Sequence, residues 1–227
     1  AILGVIGIGA MCLGGSVGRA LGAVDLVSPR VAAGRGNGIV GTDYKISSNG
    51  QFAVFVSYAT DLVSGVADTN YTQDVFRRDL TTGATVLVSV NAAGTASGDN
   101  YSFAPAISAD GRYVAFASYS SDLVAGGVDT NGTIDVFVRD MMTGTTTLVS
   151  INSAGTASGN SYSPYTAPSI SADGRYVAFD SYANDLVAGG VDTNSTIDVY
   201  VRDTLAGTTT LASINGAASA SGDNYSS

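Results

Sequence analysis

The chain contains no histidine, no tryptophan and no glutamate, and it has a single lysine, Lys45, and a single cysteine, Cys12. Without imidazole, a hydrolase built on a Ser/His or Cys/His pair has no base to activate its nucleophile. Zinc loses its usual nitrogen and sulfur ligands for the same reason. All 19 acidic residues are Asp. Asp without Glu favours a turn-rich protein, because the short Asp side chain bonds its own neighbouring backbone, whereas Glu chiefly supports helices. The net charge of −9 argues against nucleic acid or an anionic membrane surface as a partner. What is present points one way: 29 Gly, 12 Tyr and many Val and Thr describe an all-β chain with frequent tight turns.

The first stretch differs from the rest. Residues 1–23 hold the apolar run AILGVIGIGAMCLGG followed by small residues from Ala20 to Ala23, the composition of a secretory signal peptide that lacks its start. The run is too short and too rich in glycine to make a stable membrane span. An exported protein, extracellular or periplasmic, is the expectation, and removal of the leader takes Cys12 with it.

From there the chain repeats itself. ISADGRYVAF begins at Ile107 and again at Ile170, and a weaker copy, ISSNGQFAVF, begins at Ile46. A period of roughly sixty residues means that one structural unit recurs. In the middle copy, residues 106–108 read as a brief first strand and Ala109-Asp110-Gly111 as a tight turn. Residues 112–118 form an apolar second strand. Along 134–140, Ile134, Val136 and Val138 fall on one face and Asp135, Phe137 and Arg139 on the other. A loop closing on Gly144 then leads to a β-branched fourth strand over 145–152.

Four antiparallel strands per unit, joined by Gly/Ser/Ala-rich loops, is the arrangement of β-propeller blades. Ser108-Ala109-Asp110-Gly111-Arg112-Tyr113-Val114-Ala115-Phe116, then Asp135-Val136-Phe137-Val138-Arg139-Asp140 and Thr143-Gly144, resembles the TolB-type (WD40-like) β-propeller repeat of secreted and periplasmic bacterial proteins. The resemblance implies the fold and leaves function open, since such propellers serve both as binding platforms and as accessory domains of peptidases and lyases. The reading divides 24–227 into a lone fourth strand and linker over 24–45, blade 1 over 46–105, blade 2 over 106–168 and blade 3 over 169–227. Three blades plus one strand do not close a ring, because propellers close with about four to eight blades. Further blades, from the same longer chain or from an oligomer, are therefore expected.

The loop between the second and third strands carries the most suggestive chemistry. Asp68, Asn70 and Asp74 recur as Asp129, Asn131 and Asp135 and again as Asp192, Asn194 and Asp198. Alternating oxygen side chains resemble part of a calcium loop, because a hard cation needs several oxygens converging on one point. The EF-hand pattern is incomplete, with no terminal Glu, and the leading Asp of other propeller calcium loops is replaced by Gly127. The alternative is plain loop bracing through side-chain to backbone bonds. Arg112 and Arg175 read as edge salt-bridge partners, and Tyr101, Tyr162 and Tyr225 as candidates for a ligand-facing loop.

An active site breaks repeat symmetry, whereas most of the Asp residues here recur blade by blade. Asp180 is an exception, replacing Val56 and Ala117 of the other copies. The sequence therefore predicts a non-catalytic secreted propeller that binds a protein or a glycan, with calcium as a stabiliser; the other reading is an accessory propeller of a larger hydrolase or lyase.

Overall fold

The computed structural model describes residues 40–164, 166–194 and 196–222. The leader over 1–23, the extra strand expected over 24–28 and Tyr225 lie outside the described residues. Among the described residues, twelve strands form three separate four-stranded sheets. Blade 1 is β1 (Val40–Ile46), β2 (Phe52–Ser57), β3 (Asp74–Asp79) and β4 (Thr85–Leu87). Blade 2 is β5 (Ser102–Ile107), β6 (Tyr113–Ser118), β7 (Asp135–Asp140) and β8 (Thr145–Leu148). Blade 3 is β9 (Ser169–Ile170), β10 (Tyr176–Ser181), β11 (Asp198–Asp203) and β12 (Thr208–Leu211). Each sheet pairs its strands in chain order and antiparallel throughout. Three such meanders in succession, packed face to face, are consecutive blades of a β-propeller left open as a ring. No helix among the described residues is long and apolar enough to cross a membrane.

Packing follows from the period-two alternation of the strands. On blade 2, Val114, Phe116, Phe137 and Leu148 face blade 1 and pack with its Val54, Val75 and Val88. The opposite face, with Ala115, Val136 and Val138, packs against Val177, Phe179, Tyr200 and Leu211 of blade 3. The core therefore lies between blades, and each fully buried Phe contributes on the order of 2–3 kcal/mol of apolar transfer. The turns interlock as well. Gly111 (φ +78°) sits so close to blade 1 that a Cβ would lie 2.1 Å from the Phe52 ring, and Gly174 meets Tyr113 of blade 2 in the same way. Only glycine combines that approach with a left-handed backbone.

Several boundaries differ from the sequence expectation. The first strand of blade 1 occupies Val40–Ile46, inside the segment read as linker, so that blade starts before residue 46. In blade 2 the first strand starts at Ser102 instead of residue 106. Both strands slip register, between Val40 and Tyr44 and between Phe103 and Ala106. A bulge breaks the alternation by which a strand is recognised. The fourth strand is correspondingly shorter than 145–152, ending at Leu148.

Candidate functional site

The strands place the Asp/Asn loops at one end of the sheets. Ser118, at the end of β6, pairs with both Asp135, at the start of β7, and Ser102, at the start of β5. The loops between second and third strands thus share this end with the connections between blades. In all three copies Asn is a brace. Asn131 donates to the Gly159 carbonyl at 2.8 Å and accepts the Thr133 N–H at 2.8 Å; Asn70 and Asn194 do the same with Gly98 and Thr72 and with Gly222 and Thr196.

The terminal Asp is held differently. Asp135 is fully buried, and its Oδ1 accepts the Ser150 hydroxyl at 2.5 Å while Ser150 Oγ accepts the Val136 N–H. Ser89 and Ser213 repeat this bridge for Asp74 and Asp198. The second oxygen, Oδ2, of Asp74, Asp135 and Asp198 has no hydrogen-bond partner. Burial, opposed by the Ser150 bond and reinforced by the neighbouring Asp129, pushes Asp135 up to about 8. Asp74, buried beside Ser89, rises to about 7, and Asp198 is raised by the same causes.

The leading Asp separates the blades. Asp68 Oδ1 accepts the Tyr71 N–H at 3.2 Å. Asp192 Oδ2 accepts the buried Tyr200 hydroxyl at 2.6 Å, and Oδ1 is left without a partner. Burial and the Asp192 carboxylate together push the Tyr200 hydroxyl up. In blade 2 both oxygens of Asp129 are unpartnered, and burial together with nearby Asp99 raises this carboxyl to about 6. The hydroxyl oxygens of Thr72, Thr133 and Thr196 are likewise buried and unpartnered. These threonines and the bridging serines escape a sequence reading, although Thr two residues before the terminal Asp and Ser after the fourth strand recur in every copy. Among the described residues no three carboxylates gather; each loop brings two Asp and one Thr.

The tyrosine candidates pack on their own blades. Tyr101 packs at a tilt against Tyr119 with centroids 4.6 Å apart, and Tyr162 against Tyr182 at 4.7 Å. Burial beside Tyr119 pushes the Tyr101 hydroxyl up to about 12. Both pairs remain partly exposed at the loop end, and Tyr58, at the position of Tyr119 and Tyr182, is 48% exposed. Tyr58, Thr72, Gln73 and Tyr101 line a cleft of about 220 Å³.

At the opposite end blades 2 and 3 each hold an ion pair. Arg112 makes a two-pronged bridge to Asp140, with N–O distances of 3.0 and 2.7 Å, and Arg175 repeats it with Asp203. The arginine bonds hold Asp140 and Asp203 down at about 2. A cleft of about 480 Å³ there, lined by Tyr113, Asp140, Gly174, Arg175 and Leu205, presents charges already satisfied within each blade. Asp110 and Asp173 accept bonds from the Ser and Arg of their own turns, as turn propensity requires. Asp180 accepts the N–H and hydroxyl of Thr166, pinning the longer connection that enters blade 3.

The fold and this distribution of polar groups define a β-propeller, described here over three blades. No family model matches the chain, and no curated protein matches it. Among solved structures it is similar to TolB from Acinetobacter baumannii, at 16% identity and a TM-score of 0.44 over 81% of this chain and 34% of that one. It is similar to a putative TolB from Agrobacterium tumefaciens at 16% identity and 0.47, over 82% and 48%. The β-propeller domain of the Trilobed protease from Pyrococcus furiosus is similar at 12% identity and 0.45, over 76% and 41%. The chain thus spans less than half the length of these proteins. Likeness of this degree carries no argument, and the propeller assignment stands on the three sheets themselves.

Proposed function

We propose that the chain is a non-catalytic propeller scaffold, exported to the periplasm or beyond, that binds a protein ligand across the tyrosine-bearing end of its blades. The observation that carries this reading is the asymmetry between the two ends. One end pairs Arg112 with Asp140 and Arg175 with Asp203 across adjacent turns of blades 2 and 3, whereas the other gathers Tyr58, Tyr101, Tyr119, Tyr162 and Tyr182 half-exposed around the blade connections. Tyrosine supplies contact area with few rotatable bonds and one polar atom, which suits a peptide surface. Asp180, the carboxylate that breaks the repeat, is engaged by Thr166 and fits the non-catalytic reading.

The two end faces of the array take further blades, from the same longer chain or from an oligomer. Ile107 and Ile170 pack against the preceding blade, whereas Ile46, at the same position in blade 1, is 64% exposed beside Tyr44 at 68%. Phe52 and Tyr113 each lie under a glycine of the next blade, whereas Tyr176 is 42% exposed. Large apolar side chains left open at positions that internal interfaces cover mark an interaction face.

Selection of a displayed peptide library against the chain tests the binding surface. Binders lost on Tyr58→Ala or Tyr101→Ala and kept on Tyr176→Ala are expected. Binders that depend on Tyr176 and ignore Tyr58 and Tyr101 would move the ligand to the blade face and overturn the reading.

A further inference from the structure

We propose that the Asp-x-Asn-x-Thr-x-Asp loop of each blade is a divalent-cation site of the calcium class, and that the blade 2 loop, built from Asp129, Thr133 and Asp135, is its strongest instance. The inference rests on the blades alone and holds whatever ligand the tyrosine end takes.

Two acidic residues on a loop do not make a site; what they leave unsatisfied does. A buried polar atom without a partner costs about 1–3 kcal/mol, and more when it is charged. Native proteins accordingly pair nearly all such atoms. Here the same two atoms are orphaned in all three blades: the Thr hydroxyl oxygen of residues 72, 133 and 196, and Oδ2 of Asp74, Asp135 and Asp198. Recurrence in all three blades makes this a property of the motif. Asp135 is 0% exposed, so bulk solvent does not reach it as it would a surface carboxylate. In blade 2 the two oxygens of Asp129 join them, and the carboxyls of Asp129 and Asp135 act directly on each other.

The donor set selects the ion. Every available atom is oxygen, carboxylate or hydroxyl, which suits a hard cation. Backbone carbonyls and waters complete the coordination of calcium, which accepts six to eight oxygens in irregular geometry, roughly 2.3–2.6 Å away. Magnesium demands a near-octahedral cage and sheds its waters reluctantly, which an irregular loop serves poorly. The remaining polar atoms are already committed in ways that fix the ligands. Asn131 pins the loop to Gly159, and Ser150 locks the Asp135 carboxyl by its other oxygen. With two carboxylates per site, affinity falls in the weak range of extracellular modules, on the order of 10⁻⁴–10⁻³ M.

The blades rank by their free oxygens. Blade 2 offers Asp129 Oδ1 and Oδ2, Thr133 Oγ1 and Asp135 Oδ2. Blade 3 loses Asp192 Oδ2 to Tyr200, and in blade 1 Asp68 is partly engaged by Tyr71.

The test is equilibrium dialysis of the metal-stripped chain against calcium, with melting temperature followed in EDTA, calcium and magnesium. The expected result is saturable calcium binding and a melting point several degrees higher in millimolar calcium than in magnesium or EDTA. Asp129→Asn keeps the shape of a side chain that accepts no bond, so it folds; it weakens the tightest site by about tenfold or more. No bound calcium, an equal response to magnesium, or unchanged binding in Asp129→Asn would each overturn the proposal.

Discussion

Blades 2 and 3 are nearly the same sequence, yet their loops are chemically different because of one hydroxyl. Phe137 and Tyr200 occupy the same position, each fully buried and stacked on the ring of the preceding strand, Phe116 or Phe179, at 5.9 Å. In blade 3 the Tyr200 hydroxyl donates to Asp192 at 2.6 Å and lies 3.1 Å from the Ala183 carbonyl. In blade 2 that donor is missing, and Asp129 has no partner on either oxygen. Repeats conserve the backbone bonds that define a blade more strictly than the chemistry of the loop above it. Between blades 2 and 3, one strand residue behind the loop changes how many of its oxygens are free.

The largest expected difference between the two blades is at the serine bridge. Ser150→Ala removes the donor to Asp135 and the acceptor of the Val136 N–H, both fully buried, and destabilises the chain by about 2–3 kcal/mol. Ser213→Ala breaks the same bonds where Ser213 and Val199 are only half-buried, and costs less. Urea unfolding of the two variants side by side checks the order; equal losses would mean that burial does not distinguish the blades.

Exchanging the aromatic residues sharpens the comparison directly. In EDTA, Tyr200→Phe leaves Asp192 with two unpartnered oxygens and costs about 1–2 kcal/mol. Phe137→Tyr supplies the missing donor to Asp129 and offsets part of the strain of the blade 2 loop. Melting curves with shifts of opposite sign are expected, and shifts of the same sign would break the argument from the hydroxyl.

The smallest effect is one in which the blades agree. Asp140 and Asp203 are both held at about 2 by their arginines, against a usual value of 3.8. A carboxyl depressed on folding contributes stability above its unfolded value and loses it as pH falls through the folded one. Both bridges therefore weaken between about pH 4 and pH 2. Asp140→Asn and Asp203→Asn each destabilise the chain only slightly near neutral pH, since the arginines stay partly exposed and water screens the pair. Acid titration of stability should be flatter in either variant, and a difference between them would reveal an asymmetry the geometry lacks.

Much of the fold is legible in the residues. The run from Tyr113 to Ser118, the alternation of Val136 and Val138 against Phe137, and the left-handed Gly111 and Gly144 all take their expected places. The arginine bridges follow from an Arg after one turn and an Asp before the next. The first strands are obscured because their bulges disrupt the period that signals a strand. At the loops, the Asp and Asn positions are visible as a pattern, but Ser150 and Thr133 are two among many Ser and Thr. Their importance arises only when the chain leaving β8 brings Ser150 beside Asp135, fifteen residues away. The consequence of Phe137 against Tyr200 is hidden for the same reason: it depends on which loop the ring lies beneath.

The most direct test is calcium binding by the Phe137→Tyr chain beside the unaltered one. If the blade 2 loop is a cation site tuned by the residue behind it, the new hydroxyl takes one Asp129 oxygen, weakens the tightest calcium site toward that of blade 3, and shrinks the calcium-induced rise in melting temperature. Identical calcium binding and an identical rise in both chains would contradict the account.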